Sequence, residues 1–145
     1  YVIGAPDLPG MPAGARVRLK ALRDLPLILP SPSHGLRALT DAAFARQRIT
    51  PRVHAEVDGL TLLMDAVRAG LGATIQPGAA TARLPAGAVR SVLLADALTA
   101  RRNLLASLSD DELSPAALAA RVVLADVART LVRDGRWAGA SLHKN

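Results

Sequence analysis

The sequence predicts an α/β fold on a mainly parallel sheet. Between Leu25 and Pro77 the chain alternates strand-like, helical, strand-like, helical and strand-like segments. Polar or glycine-bearing turns stand where strands feed helices: Ser31-Pro32-Ser33-His34-Gly35, then Asp58-Gly59. The intervening stretches have the length of crossovers rather than hairpins, and strands joined by crossovers run parallel. Parallel sheets bind ligands at the carboxyl ends of their strands, so the expected work of the chain is to hold a small molecule at those turns.

Taken in order, residues 1–5 read as a strand, followed by a loop holding Pro6, Pro9, Gly10, Pro12 and Gly14. Leu19–Asp24 suits one helical turn, and the apolar run Leu25–Pro30 a strand over 26–30. From about His34 to Arg48, Leu36, Leu39, Ala43 and Phe44 recur at helical spacing, with Arg37, Asp41, Arg46 and Arg48 mostly elsewhere. Ser33 is the expected N-cap of that helix. Val53–Val57 is the second parallel strand. Asp58 is then expected to cap a helix over about 59–70, burying Leu60, Leu63, Met64, Val67 and Leu71 and stopping at Gly70. Gly72–Gln76 forms the third strand, ended by Pro77-Gly78.

Beyond it, 79–87 reads as a short helix or loop and Val89–Leu94 as a strand. A turn with Asp96 and Thr99 leads into Arg102–Leu108, expected as another strand. Asp110-Asp111-Glu112 makes a charged loop. Ser114 and Pro115 then open a helix as N-cap and first residue. Ala120, Leu124, Val127 and Leu131 carry that helix to Arg133, and Gly135 ends it.

Composition narrows the function. Of 145 residues, 50% are hydrophobic and 21% charged, which is globular rather than disordered. No apolar run approaches the roughly 20 residues of a membrane span. Tyr1 is not a natural start and Tyr-Val-Ile-Gly-Ala resembles a strand in mid-fold, so the chain reads as a fragment or excised domain. Zero cysteines exclude disulfides and thiolate chemistry in this piece and fit a cytoplasmic protein. The net charge of +6 comes from scattered residues, all but Lys20 and Lys144 being arginine. With one Trp, one Tyr and one Phe there is no platform for stacking bases, so the charge describes a solvated surface.

Four segments in order carry a resemblance: Leu-Pro-Leu-Ile-Leu-Pro-Ser-Pro-Ser-His-Gly-Leu-Arg (25–37), Glu-Val-Asp-Gly-Leu (56–60), Ala-Gly-Leu-Gly-Ala-Thr-Ile-Gln-Pro (69–77) and Leu-Val-Arg-Asp-Gly-Arg-Trp-Ala-Gly-Ala-Ser-Leu (131–142). Nearly the whole chain resembles the effector-binding domain of LysR-type transcriptional regulators. The resemblance implies a two-lobed fold similar to type II periplasmic binding proteins. Residues 1–14 would be the first hinge strand and loop, a remnant of lobe I. Residues 15–98 would form lobe II, and 99–145 the second hinge strand and a C-terminal helix returning to lobe I. Most of lobe I and the helix-turn-helix that reads DNA would lie outside this chain. The implied function is sensing of a small-molecule metabolite effector by a homo-oligomeric regulator, with ligand-biased lobe and oligomer geometry controlling transcription. The alternative is a transporter's solute-binding protein of the same fold.

Three turn regions are candidates for effector binding. At Ser31, Ser33 and His34, free N–H groups of a helix start and serine hydroxyls suit a carboxylate, and the resemblance makes this lobe II's contribution. Strand ending at Ser31 and simple capping by Ser33 explain the same residues equally well. At Gly59 the family often places a hydroxyl residue, so only a backbone N–H is offered here, beside the Asp58 carboxylate. Gln76 offers an amide at a strand end. Near the second hinge, Thr99, Arg101 and Arg102 add to these, and Arg102 is chosen for bidentate contact with a carboxylate. Surface arginine is the commoner outcome for such residues. No cofactor is implied. Gly70-Leu71-Gly72 follows a helix, where a dinucleotide fingerprint would follow a strand. His34, His54 and His143 lack metal-ligand spacing. Ser31 or Ser33 beside His34 is not a productive nucleophile–base pair, and no G-x-S-x-G elbow exists, so an enzyme is not expected.

Overall fold

The structure, a computed structural model, describes residues 1–96 and 99–142. The chain divides into two compact units, Tyr1–Ala100 and Arg101–Asn145.

The first unit holds β1 (Val2–Gly4), β2 (Arg16–Val17), β3 (Leu27–Leu29), α1 (Gly35–Arg46), β4 (Val53–Glu56), α2 (Leu60–Arg68), β5 (Thr74–Ile75) and β6 (Arg90–Leu94), with 3-10 turns at Leu19–Leu22 and Gly78–Thr81. β3 and β4 pair in parallel, and a parallel bridge from Leu27 to Ala73 joins β3 to the start of β5. Two short hydrogen bonds seal that join, Ile28 N to Ala73 O at 2.7 Å and Ala73 N to Pro26 O at 2.8 Å. β1 lies antiparallel between β5 and β6, and β2 pairs in parallel with β6. The strand order is therefore β4-β3-β5-β1-β6-β2, with only β1 running against the rest. The three segments expected to lie side by side in one direction do so.

Pleating sorts the core into two faces. Leu27 and Leu29 join Val2, Ala73, Ile75 and Val92 beneath Ala43 and Phe44 of α1. Ile28 and Ile3 face the other way and pack with Leu63, Met64 and Val67 of α2. One crossover helix thus covers each face, which is why the strand run between Leu25 and Pro30 is apolar throughout.

Both helices bury narrower stripes than their periodicity suggested. On α1 the buried residues are Thr40, Ala43 and Phe44, while Leu39 is 45% exposed. Phe44 is the largest buried side chain in the unit, and its i−4 neighbour Thr40 shares its row. Thr40 satisfies its own hydroxyl by donating to Arg37 O, so its burial leaves no orphaned group. On α2, Leu63, Met64 and Val67 are buried, whereas Leu60 and Leu71 are 50% and 58% exposed. Leu60 is the first helical residue and Leu71 lies beyond the last, so both fall outside the central turns that rest on the sheet. Gly70 sits at φ +76 just past the helix, the position expected for it.

In the second unit α3 spans Pro115–Arg133. Ser114 Oγ accepts from Ala117 N at 3.2 Å, and Gly135 follows the last turn at φ +68. None of its residues is fully buried. Arg121 ties the preceding segment to the helix, donating to Asp110 Oδ1 at 2.6 Å and Ser107 Oγ at 3.1 Å. The strand expected over 102–108 is not formed: residues 101–109 have no regular structure and all are exposed. An apolar run becomes a strand only where a neighbour completes its backbone hydrogen bonds, and among the described residues it has no such neighbour. Among the described residues no helix is long and apolar enough to cross a membrane.

Candidate functional site

The order of connections decides where a ligand fits. From β3 the chain passes through α1 outward to β4, then returns through α2 across β3 to β5. The strand order therefore reverses between β3 and β5, with α1 and α2 on opposite faces. In open α/β sheets, the crevice outside the carboxyl ends of two such strands is where ligands bind. The turn after β3 is Ser31–Gly35, and the turn after β5 begins at Gln76. The parallel bridge from Leu27 to Ala73 sets the start of β5 beside β3, so both turns leave the same edge of the sheet.

Ser31 is tied to the next strand as well. Its N–H donates to Asp58 Oδ1 at 3.0 Å, linking the tip of β3 to the residue just past β4. Asp58 therefore does not cap α2. Gly59 takes that place at φ +94, and Asp58 turns to the neighbouring strand tip. That N–H and the Ser31 hydroxyl, reinforced by nearby His34, hold the Asp58 carboxyl below its ordinary value. Ser31 Oγ and Ser33 Oγ share a hydrogen bond of 2.8 Å. The cap of α1 is His34 rather than Ser33: its Nδ1 accepts from Leu36 N at 3.2 Å. The chain needs one more residue after the Ser31 turn before it can enter the helix, because His34 N is already bonded to Ser31 O at 3.0 Å.

Arg37 grips the same two tips from below. Its guanidinium donates to Pro30 O at 3.0 Å, to Glu56 Oε1 at 2.7 Å and to Asp41 at 2.9 and 3.0 Å. Its side chain is only 11% exposed. The Glu56 bond, then the Asp41 bond, raise its already high proton affinity against the cost of burial.

The expected site residues thus separate. Ser31, Ser33 and His34 form one turn, with Asp58 bonded to it, Gly59 next in sequence, and Gln76 following β5 at the same sheet edge. Gly59 has open space around it, but its φ of +94 disfavours any side chain there. Gln76 is 7% exposed and exchanges backbone bonds with Tyr1. Arg102 lies in the other unit, exposed and without regular structure, and His143 lies outside the described residues. Two residues were missed by sequence reasoning. Arg37 was placed away from the buried face, although its Asp41 partner at i+4 signalled a held guanidinium. Thr74 carries a fully buried hydroxyl with no partner among the described residues, two positions before Gln76 on the same face of β5.

Chemically the edge offers serine hydroxyls, an ionised carboxylate and an amide. His34 uses Nδ1 to cap its own helix instead of facing Ser31 or Ser33. These are groups for recognition by hydrogen bonds.

Residues 1–129 match the LysR substrate binding domain. Over 84 residues, 58% of this chain, the sequence is 32% identical to the nitrogen assimilation regulatory protein nac of Klebsiella aerogenes, covering 26% of that protein. Over 89 residues, 61% of this chain, it is 33% identical to the same-named protein of Escherichia coli (strain K12), covering 28% of it. The chain therefore spans little more than a quarter of those relatives. Among solved structures it resembles a Corynebacterium glutamicum OxyR C206 mutant, with TM-score 0.67 and 25% identity over 99% of this chain and 45% of that one. It shares the fold of the effector binding domain of QuiR in complex with shikimate, with TM-score 0.63 and 23% identity over 89% of this chain and 60% of that one. Relatives named as regulatory proteins favour the regulator reading over the transport one. The match covers the mixed sheet, its switch point and most of α3, and the chain belongs to the LysR substrate-binding domain family.

Proposed function

We propose that this chain is the ligand-sensing part of a LysR-type transcriptional regulator and works without catalysis. The observation that carries the reading is the reversal of strand order between β3 and β5, with the Ser31–Ser33 turn following β3 and Gln76 following β5, in a member of this family. Residues 15–98 act as lobe II, residues 1–14 supply a hinge strand, and α3 returns to lobe I. The rest of lobe I and the DNA-reading head belong to sequence outside this chain. The effector is a small metabolite bearing hydroxyl and carboxylate groups. Its hydroxyls meet the serines and Asp58, and its carboxylate lies away from that ionised group, toward the part of lobe I outside this chain. Differential affinity for two lobe arrangements then biases the spacing of the DNA-binding heads.

The regulator acts in the cytoplasm as a homo-oligomer. Val122, Val123, Leu124 and Val127 of α3 stand 49–62% exposed, and self-association through α3 covers them. A light-scattering mass above that of one chain at micromolar concentration is the expected result, and a monomer mass would count against it.

The test of sensing is thermal-shift screening of the whole regulator against hydroxy- and carboxyl-bearing metabolites, shikimate among them. A ligand at a hundred times its Kd stabilises by about 2.7 kcal/mol. Its shift should shrink in Ser31→Ala and in Gln76→Ala. A ligand whose shift survives Ser31→Ala, Ser33→Ala and Gln76→Ala alike would remove this edge from the site.

A further inference from the structure

We propose that Arg37 is a positioning residue: through one guanidinium it fixes the separation of the β3 and β4 tips and so holds the Ser31–Asp58 edge in its binding geometry. The inference rests on reading that edge as part of the effector site.

An arginine paired with an aspartate four residues on is ordinarily a surface pair that contributes little to a helix. Arg37 differs in two respects. Its side chain is 11% exposed, and two of its bonds leave its own helix. Pro30 O immediately precedes Ser31, and Glu56 stands two residues before Asp58. The Ser31 N–Asp58 Oδ1 bond and the Pro30–Arg37–Glu56 bridge therefore close the same two strand tips from two sides. Between them lies the last rung of the parallel ladder, Val57 N to Leu29 O at 2.9 Å. Asp41 holds the guanidinium's Nε edge with both carboxylate oxygens, which leaves Nη1 aimed at the strand tips. A lysine carries the charge but not the planar fork, and one ammonium cannot serve Asp41, Pro30 and Glu56 in this geometry.

The experiment needs no effector. Asp58 reports the geometry directly, because hydrogen bonds from Ser31 are what hold its carboxyl below the ordinary value. Carbon-detected NMR titration of the Asp58 side chain, with the Ser31 amide shift followed in parallel, is made on the chain and on Arg37→Lys and Glu56→Ala. Arg68→Lys, in an exposed pair with Asp65, serves as control. His34, whose charge also acts on Asp58, is present in every variant and cancels from the comparison.

If Arg37 positions the edge, both variants move the Asp58 midpoint up toward the ordinary value and weaken the Ser31 amide signature, while Arg68→Lys does neither. Glu56→Ala discriminates by sign. Removing a neighbouring negative charge by itself lowers the Asp58 midpoint, whereas loss of positioning raises it. The Glu56 carboxylate is 44% exposed, so this variant keeps the fold even should Arg37→Lys not. A lowered midpoint in Glu56→Ala, or an unmoved Ser31 amide in both variants, overturns the proposal. Because no ligand enters, this failure is separate from failure of the sensing reading, which the metabolite screen decides.

Discussion

The helices of the two units show how little an apolar pattern decides alone. α1 and α2 are 12 and 9 residues long and each buries three side chains completely. α3 has 19 residues, rich in valine and leucine, and buries none. The difference lies in what stands beside them. α1 and α2 are each delivered onto one face of a sheet by the parallel crossovers that make them, so their stripes meet Leu27 and Leu29 or Ile28 and Ile3. Among the described residues the segment before α3 forms no strand pairing, and no strand of its own unit offers α3 a surface. Periodicity identifies a face that gains from cover, and topology supplies the cover.

The sharpest way to break this comparison is to remove matched side chains from both regions. Phe44, 1% exposed, anchors α1, and Phe44→Ala should cost about 3–5 kcal/mol in urea unfolding. Leu124→Ala, at a residue 57% exposed, should stay within about 0.5 kcal/mol in the monomer. Comparable losses at the two sites would show α3 to be as well covered as α1.

A smaller effect tests the join on which the switch point depends. A Cβ at Gly72 would meet Pro26 O at 2.8 Å and Ile28 Cγ1 at 3.0 Å. The nearer atom is backbone, held by the Ala73 N–Pro26 O bond, so it cannot swing away. Gly72→Ala should cost about 1–3 kcal/mol and speed amide exchange at Ile28 and Ala73. Unchanged exchange would mean that β5 leans on β1 alone.

Next comes the cap of the uncovered helix. Ser114→Ala removes the acceptor for Ala117 N and should cost about 1 kcal/mol, seen as lost helical circular dichroism. With no strand of its own unit described beside it, α3 should lose its first turn altogether. Retained amide protection at Ala117 and Leu118 would show that tertiary contacts hold that turn instead.

The smallest effect is at the site edge. Asp58 has a folded value below its unfolded one, so its contribution to stability is present above the ordinary carboxylate range and is lost as pH falls through the folded value. Asp58→Asn should flatten that part of the acid limb by removing the contribution present near neutral pH, a small loss there since the group is exposed. A variant whose acid limb matches the parent would show that the Ser31 bond is not formed in solution.

Much of this was legible in the residues. The β3-α1-β4-α2-β5 run was marked by Ser31–Gly35, by Asp58-Gly59 and by Gly70, residues whose turn chemistry acts within a few positions. Ser114 and Pro115 opened α3 for the same local reason. The candidate edge was legible only in part. Ser31, Ser33, His34 and Gln76 were named, but His34 took the cap expected of Ser33, and the reach of Arg37 to Pro30 and Glu56 was not legible because those partners lie on other elements.

The sequence by itself determined the alternation of strands and helices, their parallel sense and the places where turns fall, because each depends on side-chain spacing and backbone preference over a few residues. Tertiary structure alone decided which carboxylate answers which N–H, as when Asp58 left its own helix for Ser31, and which apolar runs are covered. It also denied 102–108 a strand. Hydrogen bonds and burial are settled by whichever group arrives within reach, and for residues far apart in the chain only the assembled fold determines that.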